Sequence, residues 1–182
     1  MITIRANDAA AAALGLPFDA DQPFAGQDPG ELGRRLRAGG LARDERTALY
    51  VPQLSYRHPQ VPEFPTLTQR ECWMNSWHLD DHPDVQVQTD DDGTPHIDLP
   101  GQVHMLRQGI TLARIVRELI RQLPEPPPTC CITTTNATCG TFKFHQLRPG
   151  ESLLPPGNLD THGIAHPLVG TSMTIEIEEH PG

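Results

Sequence analysis

The densest cluster of side chains that could carry out chemistry lies at residues 77–84, Trp-His-Leu-Asp-Asp-His-Pro-Asp. Within it, His78 and Asp80 are two positions apart, and in an extended strand that spacing places both side chains on the same face. One further histidine from a distant segment completes a set of two imidazoles and one carboxylate, which leaves open coordination positions on a bound iron ion. His166 is the expected distal ligand. The sequence therefore predicts a metal site formed by His78, Asp80 and His166.

The same two segments offer alternative ligands for this site. His82 lies a short distance after His78, and His162 lies a short distance before His166. These histidines suit iron or zinc, because both ions accept imidazole and carboxylate ligands. The competing interpretation is that residues 77–84 form a solvated acidic loop that holds no metal, since a chain with 9 histidines contains His-x-Asp pairs by chance. Under that interpretation the protein has no cofactor.

Three of the four cysteines flank a predicted turn, with Cys130 and Cys131 before it and Cys139 after it. A structural zinc site usually takes its thiolates from pairs spaced C-x₂₋₄-C, whereas adjacent cysteines in a strand point to opposite faces. We therefore expect buried, reduced thiols without a disulfide, and the role of these three residues stays open. His145 falls on the polar face of the next strand, which predicts a surface or interface histidine.

Composition argues against several classes of function. The chain has 182 residues with 14 basic and 23 acidic side chains, and the net charge of −9 argues against binding to nucleic acid. Its longest apolar run, residues 9–14, is far shorter than the roughly 20 residues of a membrane-spanning helix. The first residues lack a basic and apolar signal segment, which predicts a cytoplasmic protein without membrane association. Neither a Gly-x-Ser-x-Gly elbow nor a glycine-rich phosphate loop occurs in the chain.

The distribution of charge favours a protein partner. Lys143 is the only lysine beside 13 arginines, a bias typical of a GC-rich bacterial genome. Residues 31–57 carry six arginines against three acids, whereas residues 76–100 carry seven aspartates and residues 149–182 carry five acids, with no basic residue in either. Such a segregated surface can orient the protein on another protein or on further copies of itself.

The spacing of apolar residues predicts the helices that position these side chains. Residues 102–123 place most of their apolar side chains on one face at helical spacing, which predicts a long amphipathic helix. Helix-start and helix-stop residues predict two shorter helices at 29–38 and 67–77. A brief alanine-rich helix is expected at 8–14.

These elements predict one α+β domain over residues 1–182. We expect a mixed or antiparallel sheet with the long helix packed across one face. The strands of that sheet are expected at the two ends of the chain and at 47–51, 85–99 and 131–147. Proline-rich connections at 52–65 and 124–128 interrupt the regular structure.

Local spacing also predicts three pairs of polar side chains. They are a capping box of Thr68 with Glu71, an ion pair of Arg114 with Glu118, and an ion pair of Arg148 with Glu151 across a turn.

No complete catalytic set is recognisable from these motifs. The first functional expectation is therefore a non-catalytic protein of bacterial or phage origin that binds or assembles with another protein. The proline-rich connections and the segregated acidic surface favour it, because exposed loops often carry binding residues. The alternative is a small metal-dependent enzyme that holds iron or zinc at the His-x-Asp…His site.

Overall fold

A computed structural model describes residues 1–15, 28–55, 63–154, 159 and 172–180, and these ranges contain four helices and nine strands. The helices are α1 (Asp8–Leu14), α2 (Gly30–Gly39), α3 (Leu67–Met74) and α4 (Leu99–Ile120). The strands are β1 (Ile2–Ala6), β2 (Ala42–Arg43), β3 (Leu49–Tyr50), β4 (Ser76–His78), β5 (Val87–Thr89), β6 (Pro95–Ile97), β7 (Thr129–Thr135), β8 (Gly140–Gln146) and β9 (Met173–Glu179).

Five of the strands build the main sheet, in the order β1-β9-β7-β8-β4, and all neighbours in it are antiparallel. The predicted α+β class is confirmed. The central strand β7 is buried at every residue except Thr134, which is half-buried. The alternation predicted for the terminal strands separates two faces: Ile175 packs beneath the helices, whereas Glu176 points to the opposite face.

α4 covers one face of the sheet, as predicted, but begins and ends three residues earlier than 102–123. Asp98 caps the helix by accepting a hydrogen bond from Gly101 N at 2.8 Å, and a proline stands in the first turn, where no helical hydrogen bond is lost. Gly109 lies over the central strand, since a Cβ there would fall 2.1 Å from Thr133 Oγ1. The glycine therefore lets the helix backbone lie directly on β7.

α1 and α2 pack beside α4 and are close to their predicted ranges. In α2, a Cβ on Gly33 would lie 3.0 Å from Ile115 Cδ1, so the two helices also approach closely at a glycine. α1 is capped by Asn7, whose side chain accepts a hydrogen bond from Ala10 N at 3.0 Å.

α3 is shorter than the predicted helix at 67–77, because it ends at Met74 and the following residues form the edge strand β4. Trp77 therefore belongs to the sheet rather than to the helix. Its ring centroid lies 6.3 Å from that of Phe142 and 6.0 Å from that of Phe144. Strand pairing with β8 and this aromatic contact explain why the helical pattern does not continue.

Two of the predicted strand regions form small hairpins outside the main sheet. β2 pairs with β3 near residues 47–51, and β5 pairs with β6 within 85–99. The expectation that these regions join the main sheet was wrong. All three residues of β5 are exposed, so this strand has no apolar face to bury against the sheet. The hairpin is tied to the turn after β7 instead, where Ile97 N donates to Ala137 O at 2.7 Å.

Glu71 in α3 is fully buried and accepts four hydrogen bonds. Leu49 N donates to Oε1 at 2.6 Å, and Gln146 N donates to Oε2 at 2.7 Å. Arg148 donates to both oxygens, from Nη2 at 2.7 Å and from Nη1 at 3.0 Å. This bidentate ion pair joins α3, β3 and the end of β8.

Two of the polar pairs predicted from local spacing are wrong, because Glu71 and Arg148 pair with each other. Thr66, rather than Thr68, caps α3, because its hydroxyl accepts the first-turn hydrogen bond. Arg148 pairs with Glu71 rather than with Glu151. The Glu151 carboxylate accepts a hydrogen bond from Thr68 N at 2.9 Å, which ties the turn after β8 to the start of α3.

Leu112→Ala tests the packing of α4 on the sheet. Leu112 is fully buried, so we expect a loss of about 2–5 kcal/mol in the free energy of unfolding, from lost apolar burial and the cavity left behind. Leu99→Ala is the matched control on the same helix, because Leu99 is 61% exposed. Urea unfolding measures both changes, and equal losses would contradict the packing described.

Glu71→Gln tests the buried ion pair. Removing the charge leaves the Arg148 guanidinium, which is only 14% exposed, without its counter-charge. We expect a loss of about 3–5 kcal/mol in unfolding free energy. Glu118→Gln is the control, because the Glu118–Arg37 pair is long at 3.8 Å and both side chains are more than half exposed, so its loss should stay below about 1 kcal/mol. A Glu71→Gln loss as small as that of the control would contradict this role.

Candidate metal centre

The structure brings the first two predicted ligands together. His78 ends β4 with an exposed side chain, and its Nδ1 lies 3.4 Å from Asp80 Oδ1. The same carboxylate oxygen accepts a hydrogen bond from Gly140 N at 3.1 Å. His162 and His166 lie outside the described residues, so the site formed by His78, Asp80 and His166 stays a prediction.

A second set of two histidines and one carboxylate is formed by His82, Asp84 and His104. Each residue offers a ligand atom that lies within 4.8 Å of those of the other two. His82 was an alternative ligand from the sequence, whereas Asp84 and His104 were missed. His82 and Asp84 repeat the His-x-Asp spacing of the predicted site, and the distant histidine comes from α4 rather than from the segment near residue 166.

Short turns of the chain hold His82 against α4. His82 N donates to Leu79 O at 3.2 Å, and Val85 N donates to His82 O at 2.9 Å. Leu79 and Val85 are buried apolar residues on either side of the loop, so they fix its position on the core. His82 is consequently buried although it lies in an acidic segment, and only 8% of it is exposed.

His104 reaches the same place from the first half of α4. The ring centroids of His82 and His104 lie 4.8 Å apart, with the planes tilted by 47°. Burial lowers the pKa of His104, and the neighbouring His82 lowers it further, because two positive rings at this distance would repel. The neutral imidazole that results is the form that binds metal ions.

The polar atoms around His82 are incompletely satisfied by the described residues. Its Nδ1 accepts a hydrogen bond from Asp84 N at 3.2 Å, but its buried Nε2 has no partner there. Gln108 Oε1, one turn after His104, is likewise buried without a partner in this part of the chain. Gly30 packs directly on the ring: a Cβ at that position would lie 2.9 Å from His82 Nε2.

A pocket of about 290 Å³ adjoins the cluster. His82 and Gln108 form part of its wall, and Trp77 supplies an aromatic surface. Arg35 of α2 and Asp81 bring opposite charges to the rim. A small molecule in this pocket would therefore lie against His82 and also against His78 of the site predicted from the sequence.

A further cluster on the opposite face of the sheet contains Cys130, Glu176 and Glu178. Its two carboxylates share one arginine, since Arg5 Nη2 lies 2.7 Å from Glu176 Oε2 and 2.6 Å from Glu178 Oε1. Cys130 Sγ donates to Glu176 Oε1 at 3.3 Å, and burial raises the pKa of this thiol well above its usual range. The thiol and both carboxylates of this cluster therefore already have partners within the fold.

All four cysteines fall within the described residues, and all are free thiols. Cys130 and Cys131 are buried, as expected, and Cys139 is half-buried. Burial raises the pKa of Cys72 to about 12, so this thiol also stays protonated at neutral pH.

His145 is buried rather than at the surface, and only 2% of it is exposed. Its Nδ1 lies 3.0 Å from Gln146 O, and burial lowers the pKa of the imidazole. The alternation rule placed it on the polar face correctly, but Leu153 and Leu154 fold back over that face and pack beside Cys130. The expectation of a surface histidine was therefore wrong.

Comparison with known proteins identifies no relative: no family model matches the chain, and no curated protein or solved structure is significantly similar to it. Within the described ranges, no helix has both the length and the apolar composition needed to cross a membrane.

The buried histidines predict a stability that falls as the pH is lowered. The unfolded chain takes up a proton on each histidine near the usual pKa, whereas folded His104 and His145 resist protonation until a lower pH. We therefore expect the free energy of unfolding to decrease between about pH 7 and pH 5. His145→Gln should flatten this profile, while exposed His96→Gln should leave it unchanged. A wild-type profile that is flat over this range in urea unfolding would contradict the assignment.

Proposed function

We propose that the protein is a metal-dependent enzyme that binds a divalent transition-metal ion through His82, Asp84 and His104. The observation that carries the proposal is the convergence of one ligand atom from each residue to within 4.8 Å, although the residues come from a loop and a helix. Two imidazoles and one carboxylate suit Zn²⁺ or Fe²⁺. This is the ligand chemistry expected from the sequence, at a different set of residues.

The distances support binding of one ion after a small adjustment. Ligand atoms held at about 2.1 Å from one ion lie roughly 3–4 Å apart. His82 Nδ1 and Asp84 Oδ2 are 3.9 Å apart, within that range. Asp84 is exposed, so its carboxylate is free to rotate toward His104, and an ion bound by Nδ1 would replace the long hydrogen bond from Asp84 N.

The surroundings of His82 support coordination through Nδ1. A metal-bound histidine usually donates its other ring N–H to a carbonyl oxygen or a carboxylate, which fixes the orientation of the ring. Nε2 is then the nitrogen left to donate, and among the described residues it is buried without a hydrogen-bond partner, as is Gln108 Oε1. Gly30 packs against the same edge of the ring and limits its rotation.

The adjoining pocket supports a catalytic role rather than a purely structural ion. Three protein ligands leave open positions on the ion, and structural zinc sites usually have four. The bound ion would act as a Lewis acid on a water molecule or a substrate oxygen. The pocket beside His82 would hold the rest of the substrate against Trp77. The expectation of a non-catalytic partner-binding protein stays a prediction, and a catalytic metal site would contradict its non-catalytic part.

Metal analysis of protein variants tests the proposal. We expect purified protein to bind Zn²⁺ or Co²⁺ at one ion per chain. Affinity in His104→Ala or Asp84→Asn should fall by more than the roughly 10–100-fold that is typical when a residue that only hydrogen-bonds to a metal ligand is lost. Loss of one ligand removes one metal bond, and His104 is only half-buried, so the fold should persist. Thermal unfolding of each variant checks that it does.

Two histidine variants serve as controls. His96→Ala changes an exposed histidine that is not part of the cluster and should keep wild-type metal affinity. His78→Ala separates the two candidate sites, because His78 belongs only to the site predicted from the sequence. Unchanged binding in His104→Ala would reject the proposal. Loss of binding in His78→Ala alone would transfer the site to His78 and Asp80.

A further inference from the structure

β1 forms one edge of the main sheet, and among the described residues no strand pairs with its outer side. Met1 N donates to His180 O at 2.7 Å, and His180 N donates to Met1 O at 2.9 Å. Between antiparallel strands, residue pairs joined by two backbone hydrogen bonds alternate with pairs that are not hydrogen-bonded. Thr3 and Arg5 therefore direct their backbone groups toward β9, as Met1 does.

The alternate residues of β1 direct their backbone groups to the open edge. These residues are Ile2, Ile4 and Ala6. None of the five residues of β1 is buried, which agrees with an edge open to solvent. A row of unpaired N–H and C=O groups is a template for one more strand.

An apolar groove runs beside this edge, between β1 and α4. Its floor includes Ile2 and Ile4, and the wall formed by α4 includes Ile110, Ala113 and Val116. A strand added to β1 would place every second side chain on the same face as Ile2 and Ile4. Those side chains would lie next to Ile2 and Ile4 and extend this apolar face, so backbone pairing and apolar burial would act together.

Arg114 gives the groove a charge preference. It lines the groove and forms no ion pair with any described residue, because its predicted partner Glu118 approaches Arg37 instead. The neighbouring Arg117 is already paired with Glu179, with Nε and Oε1 3.0 Å apart. Arg114 is thus the cation at the groove that the described residues leave uncompensated.

We infer that the open edge of β1 binds an extended segment of a partner protein that carries apolar residues and an acidic residue on one face. The segment would pair with the backbone of Ile2, Ile4 and Ala6, and its carboxylate would reach Arg114. A second copy of this chain fits less well, because β1 itself reads Ile-Thr-Ile-Arg-Ala and offers no acid to Arg114. The loop that carries His82 and Asp84 follows β4, which forms the opposite edge of the sheet. The inference therefore does not rest on the proposed metal function.

Peptide binding to the full chain tests the charge preference. The probe is a fluorescein-labelled heptapeptide, Thr-Ile-Thr-Glu-Thr-Ile-Thr, in which isoleucine and glutamate share one face. A version with lysine in place of glutamate should bind about tenfold more weakly, and Arg114→Glu should reverse the order of the two peptides. Arg46→Glu is the matched control, because Arg46 is an exposed arginine between β2 and β3 without an ion pair to the described residues. This control should leave the order unchanged.

Backbone methylation of the peptide tests the strand pairing without altering the fold of the protein. Methylation of the amide nitrogens on one alternate set of residues should abolish binding, and methylation of the other set should not, because only one set faces β1. Equal binding of the glutamate and lysine peptides, or no binding of either, would overturn the inference. Concentration-dependent dimerisation that the glutamate peptide does not compete with would overturn it in favour of a second copy.

Discussion

The buried carboxylate of Glu71 is the interaction on which the arrangement of the surrounding elements depends. A buried charge costs several kcal/mol unless it is paired and hydrogen-bonded, and here each oxygen accepts one backbone N–H and one guanidinium N–H. These four hydrogen bonds hold α3, β3 and the end of β8 in one place. Asn75 follows at the end of α3 and donates to Leu49 O, so β4 leaves the helix in a defined direction. The loop that carries His82 begins where β4 ends.

The spacing of apolar residues in the sequence was sufficient to predict the elements that pack directly on the core. α4 repeats apolar residues at helical spacing over six turns, and this pattern does not depend on which strands lie beside the helix. The two terminal strands alternate at period two: Ile175 of β9 is buried beneath the helices, and Ile4 and Ala6 of β1 pack half-buried against the same cluster. Boundaries were less predictable. The helix predicted at 67–77 ends early, and Trp77 instead pairs with β8 and packs on the rings of Phe142 and Phe144.

The site depends on contacts between distant segments, which local patterns do not encode. Thr68 and Glu71 match a capping box, yet the partner of Glu71 is Arg148, which follows β8. His104 lies on the polar face of its helix by periodicity, and only the placement of the 79–85 loop over α4 turns it into a candidate ligand. The His-x-Asp spacing occurs at both His78 and His82, and burial favours the second as the candidate metal ligand.

The position of β9 between β1 and β7 has a consequence for how the chain is made. β1 leaves the ribosome long before β9, yet β9 is the strand that joins it to the rest of the sheet. During synthesis Ile2 and Ile4 therefore have no neighbouring strand, while β7 and β8 can already pair as a hairpin. Completion of the sheet waits for a contact that spans almost the whole chain, and such contacts form slowly because a long loop must close first. The nascent protein consequently exposes the edges of β1 and β7 until β9 inserts between these two strands.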